Sequence, residues 1–344
     1  MSEQPQPCGV HLNGSIPLAN AEEVFRMASS ILGQRLRRIP DGETGIRLNW
    51  IGWQRAVFAR HPAFELIPPD PKAYNALLPH FKLRPGGSSG KVVFDPLGYA
   101  EAALASYAVF SRLKQDNVIA TSCRFQISLP TPLAPVRAFL VEEEQASVQP
   151  AYETAMFAEL DTITSAIPHE ELAIQWDVAI EFALLEGVAQ ALYEQTKTGV
   201  IEQLVRLGKH VPVDVELGYH LCYGDAGHKH FVEPKDTAKL VEVANGISAG
   251  LTCSLNWISL PVPRERSDEA YFAPLLNLHL HPETELYLGL VHFTDGIEGT
   301  QKRIEAAQRV VAQFGVATEC GCGRRPSETI SELLRLHREV AAPR

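Results

Sequence analysis

The chain has 344 residues, 45% of them hydrophobic and 21% charged, a composition typical of a soluble globular enzyme. Its formal net charge of −10, with no run of Lys or Arg, argues against a nucleic-acid or anionic-lipid partner. No apolar run reaches the ~18 residues of a membrane span, and the N-terminus lacks the basic start and apolar core of a signal peptide, so we expect a cytosolic (cytoplasmic) protein.

The cysteines are few and unevenly spaced for a chain of this length. We therefore expect catalytic, metal-binding or buried free thiols instead of a disulfide framework. The six are Cys8, Cys123, Cys222, Cys253, Cys320 and Cys322.

The first part of the chain begins with a polar tail at residues 1–8, which we expect to be mobile. A short strand-like run follows and ends at Gly14 and Ser15. A helix is predicted over residues 21–36, then a strand over residues 37–40 and a turn that carries Asp41 and Glu43. Residues 49–61 are helix-like, whereas residues 61–97 are rich in Pro and Gly and predict an irregular insertion.

From residue 99 onward, helical and strand patterns alternate regularly. The predicted strands are 121–130, 172–177, 211–222, 255–263, 285–293 and 316–320. The predicted helices are 99–115, 148–166, 187–208, 234–246 with Gly246 as its stop, a short helix near 268–278, 300–315 and 326–340.

Eight strand-then-helix units predict a parallel sheet closed into an α/β (β/α)8 TIM barrel, with an insertion after the second strand. We expect residues 9–344 to form this one domain. The competing interpretation, an open doubly wound sheet, predicts a Gly-rich phosphate loop after the first strand, and the sequence has none.

Polar residues of types that can take part in catalysis or binding follow the ends of the predicted strands, where barrel active sites lie. They are Ser15, Asp41, Glu43, Asp177, His220, Cys222, His292, Asp295 and Cys320. We take His292 and Asp295, after the seventh strand, as candidate catalytic residues.

His220 and Cys222 stand two residues apart at a strand end, so both side chains point to the same side. Together with Cys320 at the eighth strand end they predict a zinc site with an open position. The alternative without a metal is a histidine that packs in the core, together with buried free thiols. Cys322 is a possible fourth ligand, but its thiol could equally face away.

Two further polar features have competing interpretations. Asp177 lies in an otherwise apolar strand, so it needs a partner, either a substrate ammonium or a neighbouring Arg. His228 and His230 resemble a second metal tract, but we interpret this stretch as a polar loop because it lies several residues beyond the strand end.

These positions together resemble the catalytic C-terminal barrel of cobalamin-independent methionine synthases. Gly14-Ser15-Ile16-Pro17 looks like that family's GSFP segment, Gly42-Glu43 like its GE pair, and residues 174–177 like its IQIDEP motif. Residues 220–223 match HxCY, and residues 319–321 are similar to DCG. The resemblance implies that Glu43 and Asp177 contact an amino group of the thiol substrate and that His220, Cys222 and Cys320 bind zinc.

The chain also departs from that family. Pro261 stands where the family has its glutamate zinc ligand, and Val178 follows Asp177 where the family has an acid. The segment after the seventh strand differs from the family's VxDxHS pattern, and 344 residues do not hold the family's second, folate-binding barrel.

The sequence thus predicts a methyltransferase-like enzyme that uses Zn²⁺ to transfer a methyl or alkyl group to a thiol, with Ser15, Glu43 and Asp177 binding substrate. We expect small-molecule partners only, and the sequence leaves the methyl donor, the acceptor and the oligomeric state open. The alternatives are a lyase, decarboxylase or hydrolase on the same barrel, and a small-molecule binding protein with a degenerate metal site.

Overall fold

The computed structural model describes residues 6–68, 80–188, 197–225, 227 and 229–344. Its helices are α1 (Ala21–Leu32), α2 (Arg55–Arg60), α3 (Tyr99–Gln115), α4 (Leu133–Phe139), α5 (Glu142–Ala166), α6 (Ile180–Leu185), α7 (Lys197–Lys209), α8 (Ala238–Gly250), α9 (Glu269–Phe272), α10 (Gly296–Gln308) and α11 (Ile330–Val340). Its strands are β1 (Arg38–Pro40), β2 (Phe64–Ile67), β3 (His80–Leu83), β4 (Arg124–Pro130), β5 (Leu172–Val178), β6 (Glu216–Leu221), β7 (Trp257–Pro261), β8 (Glu285–Gly289) and β9 (Gly315–Val316).

The main sheet is parallel and has the strand order β1-β4-β5-β6-β7-β8-β9. The predicted first strand is reduced to a bridge, because Val10 pairs in parallel with both Leu36 and Val316. Those two residues flank the two edges of the sheet, so residues 9–11 join the edges into a closed ring. The barrel prediction is therefore confirmed.

Side-chain hydrogen bonds inside the barrel hold this short first strand in place. The Nε2 atom of Gln175 donates to the carbonyl of Asn13 at 2.9 Å, and that of Gln126 donates to the carbonyl of Leu12 at 2.9 Å. The amide of Asn13 donates to the carbonyl of Thr318 at 2.7 Å. Buried amides thus replace ladder bonds that the two isolated bridges of Val10 cannot supply.

The opposite end of the barrel is closed by a buried ion network. Arg38 on β1 pairs with Glu216 on β6 and, through Nη1 at 2.7 Å, with Glu285 on β8. Its guanidinium also lies 4.2 Å from the ring centroid of Trp257. The buried charge is therefore compensated from three strands, as burial requires.

The predicted irregular insertion contains regular structure. β2 and β3 form an antiparallel hairpin, and Phe58 of α2 packs against the hairpin residues Phe64 and Phe81. Residues 69–79 of the insertion lie outside the described residues. Aromatic packing thus organises this segment, although its sequence has no clear period.

The Gly246 prediction is wrong, since α8 continues to Gly250. A Cβ on Gly246 would lie 2.7 Å from the Cδ1 atom of Ile201, so this glycine allows α7 and α8 to approach closely. The helix predicted from residue 187 falls partly outside the described residues and is seen from Lys197. In the described part of the chain, no helix is long and apolar enough to cross a membrane.

Candidate metal centre

The structure brings together the three side chains that the sequence predicts as zinc ligands. One ligand atom each of His220, Cys222 and Cys320 lies within 4.8 Å of the others. His220 is on β6, Cys222 follows it, and Cys320 comes from the segment after β9. His220 and Cys222 are buried, so the donor atoms converge in a site largely shielded from water.

The donor geometry fits zinc. The Sγ atoms of Cys222 and Cys320 are 3.7 Å apart. Two thiolates on a tetrahedral zinc ion, each with a Zn–S bond of about 2.3 Å, are separated by about 3.8 Å. The backbone N–H of Gly224 donates to the Sγ of Cys222 at 3.2 Å, which stabilises negative charge on that sulfur.

His220 is oriented by a carboxylate. Its Nδ1 atom lies 3.3 Å from Oδ1 of Asp177, and its Nε2 atom lies 3.0 Å from the carbonyl oxygen of Glu319. Burial alone lowers the pKa of His220, but the hydrogen bond and charge of Asp177 raise it to about 9. A carboxylate on one imidazole nitrogen is the arrangement that fixes the ring of a metal-binding histidine.

Asp177 and Glu43 form a pair of acids beside this centre. Asp177 also accepts a hydrogen bond from Gln175 at 2.8 Å. Burial, and then the charge of Asp177, raise the pKa of Glu43 well above its ordinary value. Glu43 has a positive φ of 47°, a strained conformation for a non-glycine residue. This pair of carboxylates favours a cationic ligand group.

Ser15 lies against the segment that carries Cys320 and Cys322. Its carbonyl accepts the N–H of Cys322 at 2.6 Å, and its Oγ accepts the N–H of Gly323 at 3.3 Å. A Cβ on Gly321 would lie 2.4 Å from that Oγ, so a side chain at residue 321 would push the segment away. Cys322 is buried, burial raises its pKa to about 11, and it is outside the cluster of three ligands.

The structure places the two candidate catalytic residues in different surroundings. His292 is buried beside Glu319, with Nδ1 3.6 Å from its Oε2 atom, and burial lowers the pKa of His292 to about 3. Asp295 instead makes a two-bond ion pair with Arg303 at 2.6 and 2.9 Å. The guanidinium of Arg303, acting against burial, lowers the pKa of Asp295.

Pro261 ends β7 beside the metal centre. His220 is in register with Ser259, and Pro261 lies two residues further on the same face. The carbonyl of Pro261 accepts the hydroxyl of Tyr271 at 3.1 Å. The side chain at this position offers no donor atom to a metal.

Sequence reasoning missed two acids near the rim. Glu319 is mostly buried and faces His230 and His292, and Glu181 on α6 is fully buried. Glu319 lies in the predicted strand 316–320 and Glu181 in a stretch with no predicted element, and neither position indicated a buried carboxylate. His230 lies in the tract interpreted as a polar loop, whereas His228 lies outside the described residues.

The chain matches no known protein-family profile and no curated protein sequence. Among solved structures it is similar to a provisionally named vitamin B12-independent methionine synthase from Listeria monocytogenes (TM-score 0.56, 15% identity, covering 99% of this chain and 100% of that one). It is also similar to a B12-independent methionine synthase from a Shewanella species in complex with selenomethionine (TM-score 0.57, 14% identity, 97% and 96% covered). A methyltransferase from Methanosarcina mazei gives a TM-score of 0.53 at 9% identity, with 98% and 95% covered. The resemblance drawn from the motifs is thus confirmed for the fold.

Proposed function

We propose that this protein is a zinc-dependent methyltransferase-like enzyme that transfers a methyl group to the sulfur of a small thiol. The observation that carries the proposal is the convergence of His220, Cys222 and Cys320 at one rim of the barrel. The fold is shared with solved structures described as methionine synthases and as a methyltransferase, which supports the same reaction class. We expect it to act in the cytoplasm on small molecules.

In this proposal the imidazole of His220 and the thiolates of Cys222 and Cys320 hold the metal. Zinc, when bound, supplies a Lewis acid that lowers the pKa of a substrate thiol. Burial of His220 and Cys222 limits the access of water to the reacting sulfur, and Asp177 keeps the ring of His220 in the orientation needed for binding. Methyl transfer then forms a bond between the methyl carbon and the substrate sulfur as the bond between that carbon and the methyl donor breaks.

Glu43 and Asp177 are proposed to bind the ammonium group of the thiol substrate. Both are near the metal centre, and Glu43 is held in its buried position although a second carboxylate is close. Arg47, whose charge partly offsets the rise in the pKa of Glu43, forms an ion pair with Asp41. A substrate ammonium would add positive charge beside two carboxylates, of which Asp177 already pairs with the imidazole of His220. We propose that Ser15 binds the same substrate.

For His292 and Asp295 we propose separate roles. The neutral ring of His292 has its Nε2 hydrogen-bonded to the carbonyl of Val262 at 2.9 Å, so Nδ1 is free to accept the thiol proton. Asp295 is a positioning residue, because its ion pair holds Arg303, whose Nε donates to the carbonyl of Leu290 at 2.8 Å just before His292.

Cobalt substitution tests the metal centre. Cobalt(II) bound at this centre by cysteine should give a thiolate-to-metal charge-transfer band, and one zinc ion per chain should compete with cobalt for the centre. Cys222→Ser and Cys320→Ser should weaken or abolish the band, and His220→Ala should lower metal affinity. Cys253→Ser, a free cysteine outside the cluster, is the matched control. Far less than one metal ion per chain, with metal binding unchanged in His220→Ala, would contradict the proposal.

A pair of matched thiols tests the ammonium site. Homocysteine and 4-mercaptobutyrate differ only by the amino group, and we expect homocysteine to perturb the cobalt spectrum at a concentration at least tenfold lower. Asp177→Asn should erase most of that preference. Equal affinity for both thiols in the native protein would refute the role of Glu43 and Asp177, while leaving the metal assignment intact.

A further inference from the structure

A second cluster of donor atoms lies next to the metal centre. The carboxylate of Glu319 stands between two imidazoles: Nε2 of His230 is 3.0 Å from Oε1, and Nδ1 of His292 is 3.6 Å from Oε2. Both imidazole side chains are over 90% buried, whereas that of Glu319 is 22% exposed. The cluster is thus enclosed yet reachable from solvent.

The outer nitrogen of each ring is already bound to an acceptor. Nδ1 of His230 contacts the carboxylate of Glu233 at 3.1 Å, and Nε2 of His292 contacts the carbonyl of Val262 at 2.9 Å. Each outer nitrogen must therefore carry a hydrogen. In His292, whose pKa burial lowers to about 3, the inner nitrogen presents a lone pair toward Glu319, the orientation seen in metal-binding histidines. His230 must release the proton of its ion pair with Glu319 before it can bind a metal in the same way.

The carboxylate of Glu319 is poorly satisfied where it stands. Its Oε1 atom forms an ion pair with Nε2 of His230 at 3.0 Å but accepts no hydrogen bond among the described residues. The lone pair on Nδ1 of His292 faces another hydrogen-bond acceptor, Oε2 of Glu319. Glu233 and Asp225 add negative charge near Glu319, opposed by the ion pair of Asp225 with Arg324 at 3.6 Å. A cation between these donors would satisfy each of them.

We propose that His230, His292 and Glu319 bind a second divalent transition-metal ion beside the centre formed by His220, Cys222 and Cys320. Two imidazoles and one carboxylate suit borderline ions such as Zn²⁺ or Fe²⁺. The three donor atoms are more widely spread than those of the first centre, so binding draws the rings toward the carboxylate by side-chain rotation. With this second ion bound, Nδ1 of His292 is a ligand, and it can accept the thiol proton only when that ion is absent.

The inference goes beyond the proposed function and can fail independently of it. Metal-stripped, reduced full-length protein is equilibrated with cobalt(II), and cobalt per chain is measured together with the charge-transfer band. We expect two cobalt ions in the native protein. Glu319→Gln should keep one ion and the band, whereas Cys222→Ser should keep one ion without the band. Glu298→Gln, the same change at an exposed helix position, should keep both.

A native protein that saturates at one cobalt with the full band overturns the second site, as does Glu319→Gln that still binds two ions. His230→Gln provides a second variant if Glu319→Gln does not fold, and it should lower affinity for the second ion at least tenfold. A native protein that shows no charge-transfer band, and that loses one bound cobalt ion through Glu319→Gln, would instead refute the first centre and support the second.

Discussion

Glu181 offers the sharpest test of how burial shapes this barrel. Its side chain is fully buried at the start of α6, and neither carboxylate oxygen has a hydrogen-bond partner among the residues described. Burial raises its pKa from 4.5 to about 7, and weak contacts with Thr131 offset only part of this rise. We predict that Glu181→Gln stabilises the protein increasingly as pH rises.

The magnitude follows from the pKa difference between the folded and unfolded states. Because the folded pKa is raised, the proton on Glu181 contributes stability that is fully present below pH 4.5 and is lost as pH rises to about 7. A difference of about 2.5 pKa units corresponds to about 3 kcal/mol, most of it lost between pH 5 and pH 8.5. Glutamine, which does not titrate, removes this dependence.

Denaturant unfolding of both proteins at pH 5 and pH 8.5 measures the effect. The gain in unfolding free energy of Glu181→Gln over the native protein should be about 2 to 3 kcal/mol larger at pH 8.5 than at pH 5. Glu170→Gln, the same change at an exposed position, should show the same difference from the native protein at both pH values. An equal effect of Glu181→Gln at both pH values would refute the assignment of a buried, uncompensated carboxyl.

Three further outcomes are expected. The charge of Arg38, acting against burial, lowers the pKa of Glu285 to about 2, so stability present above pH 4.5 is lost as pH falls toward 2. Glu285→Gln should remove this loss at acid pH and lower the unfolding free energy by about 3 to 5 kcal/mol at pH 7. Denaturant unfolding across this pH range measures both effects. Phe58→Ala should lower the unfolding free energy by about 3 to 5 kcal/mol, because the ring is fully buried among aromatic neighbours, and a loss under 1 kcal/mol would contradict that packing. Gly218→Ala should destabilise β6 and weaken cobalt binding at His220, because its Cβ would lie 2.0 Å from Trp257; unchanged thermal unfolding and cobalt affinity would show that the strand relaxes freely.

The barrel and the three-ligand cluster could be predicted because both follow from local patterns. Parallel strands covered on both faces appear as apolar runs, and β5 is buried at every position. Polar residues at the ends of such runs must meet at one rim, which is how Cys320 could be paired with His220 across 100 positions of sequence.

Other features depended on packing that no local pattern records. Gly246 carries the signature of a helix end, yet its function is to let Ile201 approach. Asp295 follows a strand as a catalytic acid would, but its carboxylate is engaged by Arg303. Glu319 lies in a predicted strand beside Cys320, and its surroundings could not be predicted because His230 and His292 come from segments far away in sequence.

Between β1 and β9 the barrel is closed only by the short first strand, in which Val10 makes one isolated bridge to each side among the described residues. This seam therefore has few backbone ladder bonds. Residues 9–11 lead directly to Ser15, and Ser15 in turn holds the segment that carries Cys320. We expect a ligand that draws Cys320 toward His220 to stabilise this seam as well. Occupancy of the site and closure of the barrel should then be thermodynamically linked, and hydrogen exchange of the amides of residues 9–11 would report on both.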